Sequence, residues 1–351
     1  MSEDSATGES PEPPPAAGTG ASRLVDRFGR QHRDLRISLT DRCNLRCTYC
    51  MPAEGMQWLP GPTLLSTPEL VRVVGILVDL GVREVRLTGG EPLLRPDVVD
   101  VVAALTALPS PPELSLTTNG VRLPTLAGPL ADAGLTRVNI SLDTLRADRF
   151  RELTRRDMLE QTLAGVRAAR RAGLDPVKIN TVLMRGVNDD EACDLLAWAL
   201  AEGVELRFIE QMPLDAGHVW RRDEMVTAEE IHAQLARRFT LIPWGERGSD
   251  PSERFVVDGG PGLGGTVGII ASVTAPFCGS CDRLRLTADG QLRNCLFAHD
   301  ESDLRSALRD GATDEQLADQ ALACVAVKKA GHGIDDPAFV QPQRPMSAIG
   351  G

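Results

Sequence analysis

Six short runs in the first two-thirds of the chain, LRISLT, EVRLT, ELSLTT, RVNISLD, PVKINTVLM and VELRFIE, are separated by stretches of helical pattern. Strand, turn and helix in regular succession build a parallel sheet. A parallel strand covered by helices on both faces is apolar at almost every position. These are not. Arg36 and Ser38 alternate with Leu35, Ile37 and Leu39, and Arg86 and Thr88 with Val85 and Leu87. Asn139 and Ser141 alternate with Val138, Ile140 and Leu142, and Lys178 and Asn180 with Val177 and Ile179. A period of two turns the apolar set toward helices and the other set toward something polar. Helices on one face of a parallel sheet are what a barrel provides, so the chain is expected to form a partial (βα)6 TIM-like barrel with Arg36, Arg86 and Lys178 in its lumen.

Cations buried without partners are costly, so a phosphate-bearing or carboxylate-bearing ligand is expected among them; internal ion pairs with Asp or Glu would satisfy the same pattern. After about Trp244 the rhythm changes to glycine-rich turns and short strands, then helical runs near 303–308 and 314–327. This predicts a barrel over 23–244 and a C-terminal region over 245–351. Residues 1–22 are Pro, Gly, Ser, Ala and Glu with no apolar periodicity, the composition of a disordered tail.

Several classes are disfavoured. A net charge of -11 argues against a nucleic-acid partner. The N-terminus lacks a basic opening and an apolar core, and no run reaches about eighteen apolar residues, so neither export nor a membrane is expected, and the cytoplasm is. Thiols stay reduced there, which makes clustered cysteines metal ligands or redox groups before disulfides.

Six of the eight cysteines are clustered. DRCNLRCTYCMP sets Cys43, Cys47 and Cys50 with three residues, then two, between them, around Tyr49, the single tyrosine. FCGSCDRLRLTADGQLRNC sets Cys278, Cys281 and Cys295 as another three, with Arg283 and Arg285 alternating just after Cys281. A structural zinc site closes on four protein ligands. A 4Fe-4S cluster held by three thiolates keeps one iron open for a substrate or cofactor. Two sets of three suggest two 4Fe-4S clusters; a two-cluster electron carrier and a zinc-binding interaction protein are the non-enzymatic alternatives.

The first spacing, following a first strand, together with TGGEPLL at 88–94 and Tyr49 before the last cysteine, resembles the radical S-adenosylmethionine (SAM) superfamily. The resemblance implies that the open iron takes the amino and carboxylate groups of SAM, with Tyr49, Gly90, Ser141 and Met212 around the cofactor. Without it, Gly90 is a turn glycine, Ser141 a strand serine and Met212 a core methionine. Further stretches, DLRISLT, TTNG, KIN, RFIE, FCGSC and the terminal IGG, carry the likeness from about Arg33 to Gly351. They resemble, within that superfamily, the GTP-cyclising family of molybdenum cofactor biosynthesis.

That likeness implies a radical SAM barrel with a C-terminal cluster-binding extension. GTP contacts then fall on Arg36, Arg86, Thr117, Lys178, Arg283 and Arg285, with Arg207 a weaker candidate. Three of these are the lumen cations that alternation selects. It also implies a 5′-deoxyadenosyl radical that takes hydrogen from C3′ of GTP before C3′ joins C8, with no side chain acting as a covalent catalyst. Implied partners are a reduced flavodoxin or ferredoxin-type donor and, as the next enzyme, cyclic pyranopterin monophosphate synthase; a homodimer is implied too. The family's double-glycine end reaches the active site, which gives Gly350 and Gly351 a role. A peptide-modifying radical SAM maturase is the enzymatic alternative, though it would carry more C-terminal cysteines.

Cys193 and Cys324 sit in apolar helical runs and are expected in the core. GGPGLGG at 259–265 lacks the Lys-Ser/Thr of a phosphate loop and suits a hairpin. His218, His299 and His332 have no metal spacing and receive no role.

Overall fold

A computed structural model describes residues 23–258, 260 and 264–350. The tail expected over 1–22, Gly351 and most of the GGPGLGG run lie outside the described residues.

The six expected strands form in order: β1 (Asp34–Ser38), β2 (Glu84–Thr88), β3 (Glu113–Thr118), β4 (Arg137–Ser141), β5 (Val177–Val182) and β6 (Glu205–Ile209), each parallel to the next. Between them run α1 (Thr67–Asp79), α2 (Val98–Thr106), α3 (Leu123–Asp132), α4 (Ala147–Thr154), α5 (Leu159–Arg171) and α6 (Ala192–Glu202), with α7 (Ala228–Leu235) after β6. The apolar sets do what alternation requires. Ile37, Leu87, Leu116, Ile140, Ile179 and Phe208 are fully buried in one core shared with the helices.

α1 begins where its sequence says it should. Ser66 accepts from the Glu69 N–H while the Glu69 carboxylate accepts from the Ser66 N–H, so two of the four orphan donors of the first turn are satisfied. With the short turn before it, the stretch 61–79 has the length and apolarity of a membrane span. In the fold it is a core helix, burying Leu70, Val73, Val74 and Leu77.

The C-terminal region completes the same sheet on both edges. β7 (Thr240–Pro243), β8 (Glu253–Asp258) and β9 (Gly264–Ile270) form an antiparallel meander whose last strand runs parallel to β6. Asp258 of β8 pairs with Gly264 of β9. On the other edge, β10 (Arg283–Leu286) lies parallel to β1, followed by antiparallel β11 (Gln291–Arg293) and β12 (Ser302–Asp303). The described sheet therefore has twelve strands in the order β12-β11-β10-β1-β2-β3-β4-β5-β6-β9-β8-β7.

α8 (Leu304–Arg309) and α9 (Asp314–Ala326) match the expected helical runs and dock on α1 through Arg309–Glu69 and Arg72–Asp314 ion pairs. The second pair gives one acidic residue of this end of the chain, Asp314, a partner. Cys324 is buried and Cys193 half-buried, both as core thiols. The last helix, α10 (Met346–Ile349), turns back into the barrel, and Arg344 fastens it by binding both Asp289 and Glu301.

Candidate active site

The loop after β1 delivers Cys43, Cys47 and Cys50 into one chamber of about 160 Å³, together with Gly90, Ser141 and Ser347. Gly90 is needed for proximity rather than for a turn. A Cβ there would stand 2.4 Å from the Arg42 carbonyl oxygen and 2.5 Å from that of Asp41. Only a bare backbone lets the strand-β2 turn pack on the cysteine loop, where the Gly90 N–H donates to Thr40 at 2.7 Å and the Glu91 N–H to Arg42 at 2.7 Å.

The three thiols suit a cationic centre. Burial pushes Cys43 up to about 11, helped by Glu91, and Cys50 up to about 12, helped by Cys43. Cys47 is also raised, by burial, then by Asp143 and its fellow cysteines. Three thiols that disfavour one another's ionisation are relieved together by a bound metal cluster, which takes all of them as thiolates. The Leu45 N–H already points at the Cys43 sulfur, 3.4 Å away. Among the described residues no three His, Cys, Asp or Glu side chains are grouped for a single metal ion. A cubane, whose irons are spread over its corners, spaces its thiolates more widely than one zinc ion does.

Tyr49, Thr117, Ser141, Asp143 and Met346 line both this chamber and a larger one of about 240 Å³. At that junction the Tyr49 hydroxyl donates to Asp143 at 2.8 Å, and burial lifts the Asp143 carboxyl to about 6. The second chamber is walled by Cys278, Cys281 and Cys295, by Phe277 and Phe297, and by Met212. Met212 is both a packing residue of the small core around Leu214 and Phe297 and a wall of this space. The two cysteine sets thus open on connected spaces, although 228 residues separate Cys50 from Cys278 in sequence (278 − 50).

Below lies a cation-lined floor. Arg285, Arg36 and Arg86 stand directly opposite one another on β10, β1 and β2. Like charges in register repel. Burial lowers the proton affinity of Arg36 well below its ordinary value, and Arg283, Arg285 and Arg86 lower it further. Burial, then Arg283, brings Arg285 down to about 10. Burial also raises Asp34, but its arginine neighbours outweigh that and hold it ionised.

Both ways of accommodating these cations occur. Lys178 meets Glu205 at 3.6 Å, and Arg207 meets Glu205 at 2.6 Å and Asp250 at 4.0 Å, so this side is internally paired. On the β10–β1 side, by contrast, Arg36 Nε and Arg283 Nη2 are buried without hydrogen-bond partners, as are Asn139 Nδ2 on β4 and Asn180 Oδ1 on β5. An unpartnered guanidinium edge among other arginines calls for an anion with several oxygens.

Of the expected contacts, Tyr49, Ser141 and Thr117 stand at the junction, Arg36, Arg86, Arg283, Arg285 and Met212 in the larger chamber, Gly90 beside the first cysteines, and Lys178 in the floor. Arg207 belongs to the site more fully than its strand position suggested, since it lines both chamber and floor. Asp143 and Asp250, which the sequence reading did not single out, also line these spaces, and so does His332, to which it gave no role. Asp143 follows the RVNIS strand and carried a signal in its position. Asp250 and His332 come from irregular segments and carried none.

The radical SAM superfamily model matches residues 37–199, and the Molybdenum Cofactor Synthesis C model matches residues 204–334. The chain is 60% identical over 339 residues to a GTP 3′,8-cyclase of Streptomyces coelicolor, covering 96% of this chain and 98% of that one. It is 55% identical to one from Paenarthrobacter nicotinovorans (96% and 99% covered) and 53% identical to one from Mycolicibacterium smegmatis (99% and 96% covered). Among solved structures, Streptococcus suis SuiB bound to its precursor peptide SuiA is similar at 17% identity and a TM-score of 0.48, over 60% of this chain and 47% of that one. A likeness that distant bears on neither substrate nor chemistry.

Proposed function

Because the chain belongs to the GTP 3′,8-cyclase family of radical SAM enzymes, which act at the first step of molybdenum cofactor biosynthesis, we propose that it works with two 4Fe-4S clusters facing one substrate space. In this reading Cys43, Cys47 and Cys50 hold the cluster that binds SAM, and Cys278, Cys281 and Cys295 hold a second that orients the purine. The observation that carries it is the pair of three-thiol sets opening on chambers that share Tyr49, Thr117, Ser141, Asp143 and Met346.

When bound, the first cluster and SAM supply a 5′-deoxyadenosyl radical, and the protein supplies position and charge. Arg36, Arg86, Arg283 and Arg285 meet the triphosphate, whose negative oxygens answer the unpaired guanidinium edges. Lys178 and Arg207 extend that clamp, exchanging part of their pairing with Glu205 and Asp250 for phosphate. Gly90, Ser141, Met212 and Tyr49 line the SAM side, and the Tyr49–Asp143 hydrogen bond keeps that ring rigid between the chambers. Phe277 and Phe297 exclude water around the base.

The division near residue 244 separates the SAM-binding barrel from the region bearing the second thiol set. A cytoplasmic setting suits the six clustered cysteines, all free thiols. A reduced flavodoxin or ferredoxin-type protein is the proposed electron donor, cyclic pyranopterin monophosphate synthase the consumer of the product, and a homodimer the assembly. The test is anaerobic incubation of reconstituted protein with SAM and reductant plus GTP, ATP or a peptide. Cyclised nucleotide from GTP alone is expected; turnover of peptide and not GTP would overturn the reading in favour of a maturase.

A further inference from the structure

Lys328, just beyond the end of α9, is 3% exposed and has no carboxylate ion pair among the described residues. Its ammonium donates to the Arg283 carbonyl at 2.8 Å and reaches the Cys281 sulfur at 3.6 Å and the His32 Nδ1 at 3.4 Å. A buried ammonium without a carboxylate needs an anion nearby. A neutral thiol is a poor one, and a metal-bound thiolate is a good one.

Behind Lys328 stands a support built from the segment before β1. His32 is 1% exposed, and burial, then the Lys328 charge, lower it to about 4. It is therefore a neutral imidazole. Its Nδ1 accepts from Lys328, which leaves the proton on Nε2 to donate to Asp26 at 3.2 Å. Asp26 also holds the Arg30 guanidinium at 2.6 Å, and Arg30 donates to the carbonyls of Cys278 (2.5 Å) and Ala330 (3.0 Å). One carboxylate thus braces two arms, each ending on a cysteine of the second set.

Lys328 thus sets a positive charge 3.6 Å from the Cys281 sulfur. Hydrogen bonds and positive charge at ligand sulfurs favour the reduced, more negative state of an iron-sulfur centre.

We infer that Lys328, braced by His32 and Asp26, is the charge partner of Cys281 that sets the reduction potential of the second cluster. This rests on the assignment of Cys278, Cys281 and Cys295 as ligands, and the experiment separates the two. In full-length protein carrying Cys43→Ala, Cys47→Ala and Cys50→Ala, only the second set can bind a cluster. A spectroscopically monitored redox titration of that protein is compared with versions adding Lys328→Met or Lys328→Arg.

With Lys328→Met the reduced-to-oxidised ratio at the parent's midpoint should fall about tenfold, a shift of about 59 mV to lower potential for a one-electron couple. Lys328→Arg should stay near the parent. Failure of Lys328→Met to take up iron while Lys328→Arg does so also supports the charge role. An unchanged or higher midpoint in Lys328→Met overturns the inference with the second cluster intact. So does loss of iron from both variants, which would make the side chain's shape the requirement. A parent lacking any cluster would overturn the ligand assignment itself, and the inference with it.

Discussion

The Arg285 guanidinium donates to the carbonyl of Gly350, which brings the end of the described chain in among the arginines of the floor. Gly350 has φ +78°, and a Cβ there would lie 2.7 Å from Thr88 Cγ2 and 2.9 Å from Ser38 Oγ. Any other residue would be strained in conformation and blocked by its neighbours. Removing Gly350 and Gly351 should leave iron content and reductive SAM cleavage intact and stop formation of the cyclised nucleotide. Deoxyadenosine and nucleotide product, quantified side by side from full-length and shortened protein, decide the matter; equal nucleotide yields would make the end dispensable.

The cysteine assignment predicts a division of labour. Replacing Cys43, Cys47 and Cys50 with Ala should leave roughly half the iron, held by the other set, and abolish deoxyadenosine formation. Iron and sulfide determination with a SAM-cleavage assay reads both, and retained cleavage would remove these thiols from their role.

Arg36 is a floor cation whose Nε lacks a hydrogen-bond partner and whose charge is opposed by burial, then by Arg283, Arg285 and Arg86. Arg36→Met should weaken GTP binding by about 2–5 kcal/mol, as expected for losing one member of a buried charge pair. Calorimetry at fixed salt measures this. The same change should raise the melting temperature of the ligand-free protein, because it relieves repulsion from Arg86, Arg283 and Arg285.

Lys178 gives GTP binding a pH dependence. Burial, then Arg207, lowers it from 10.5 to about 8. Above pH 8 the free protein must take up a proton to present an ammonium to phosphate, so affinity should fall by up to about tenfold per pH unit. Lys178→Arg, always charged, should flatten the profile between pH 7.5 and about 9.5. Stability of the ligand-free protein runs the other way. Between about 8 and 10.5 the unfolded lysine holds a proton that the folded one has lost, so rising pH favours the fold through this group. A flat wild-type binding profile would show that Lys178 does not meet the substrate.

The sequence by itself determined the barrel, the inward direction of Arg36, Arg86 and Lys178, and the two thiol sets. Each of these depends on local periodicity or close spacing, which a linear chain displays. It could not tell which cations the protein pairs for itself. Lys178 finds Glu205 on the neighbouring strand and Arg207 finds Asp250 in a later loop while Arg36 finds neither, and that depends on which segments become neighbours. Nor could it join the two edges of the sheet. Only folding sets Arg285 on β10 against Arg36 on β1, 249 residues earlier (285 − 36). Lys328 and His32, 296 residues apart, meet for the same reason: the segment after α9 packs against the segment before β1, and contact between distant segments is a property of packing that no local pattern encodes.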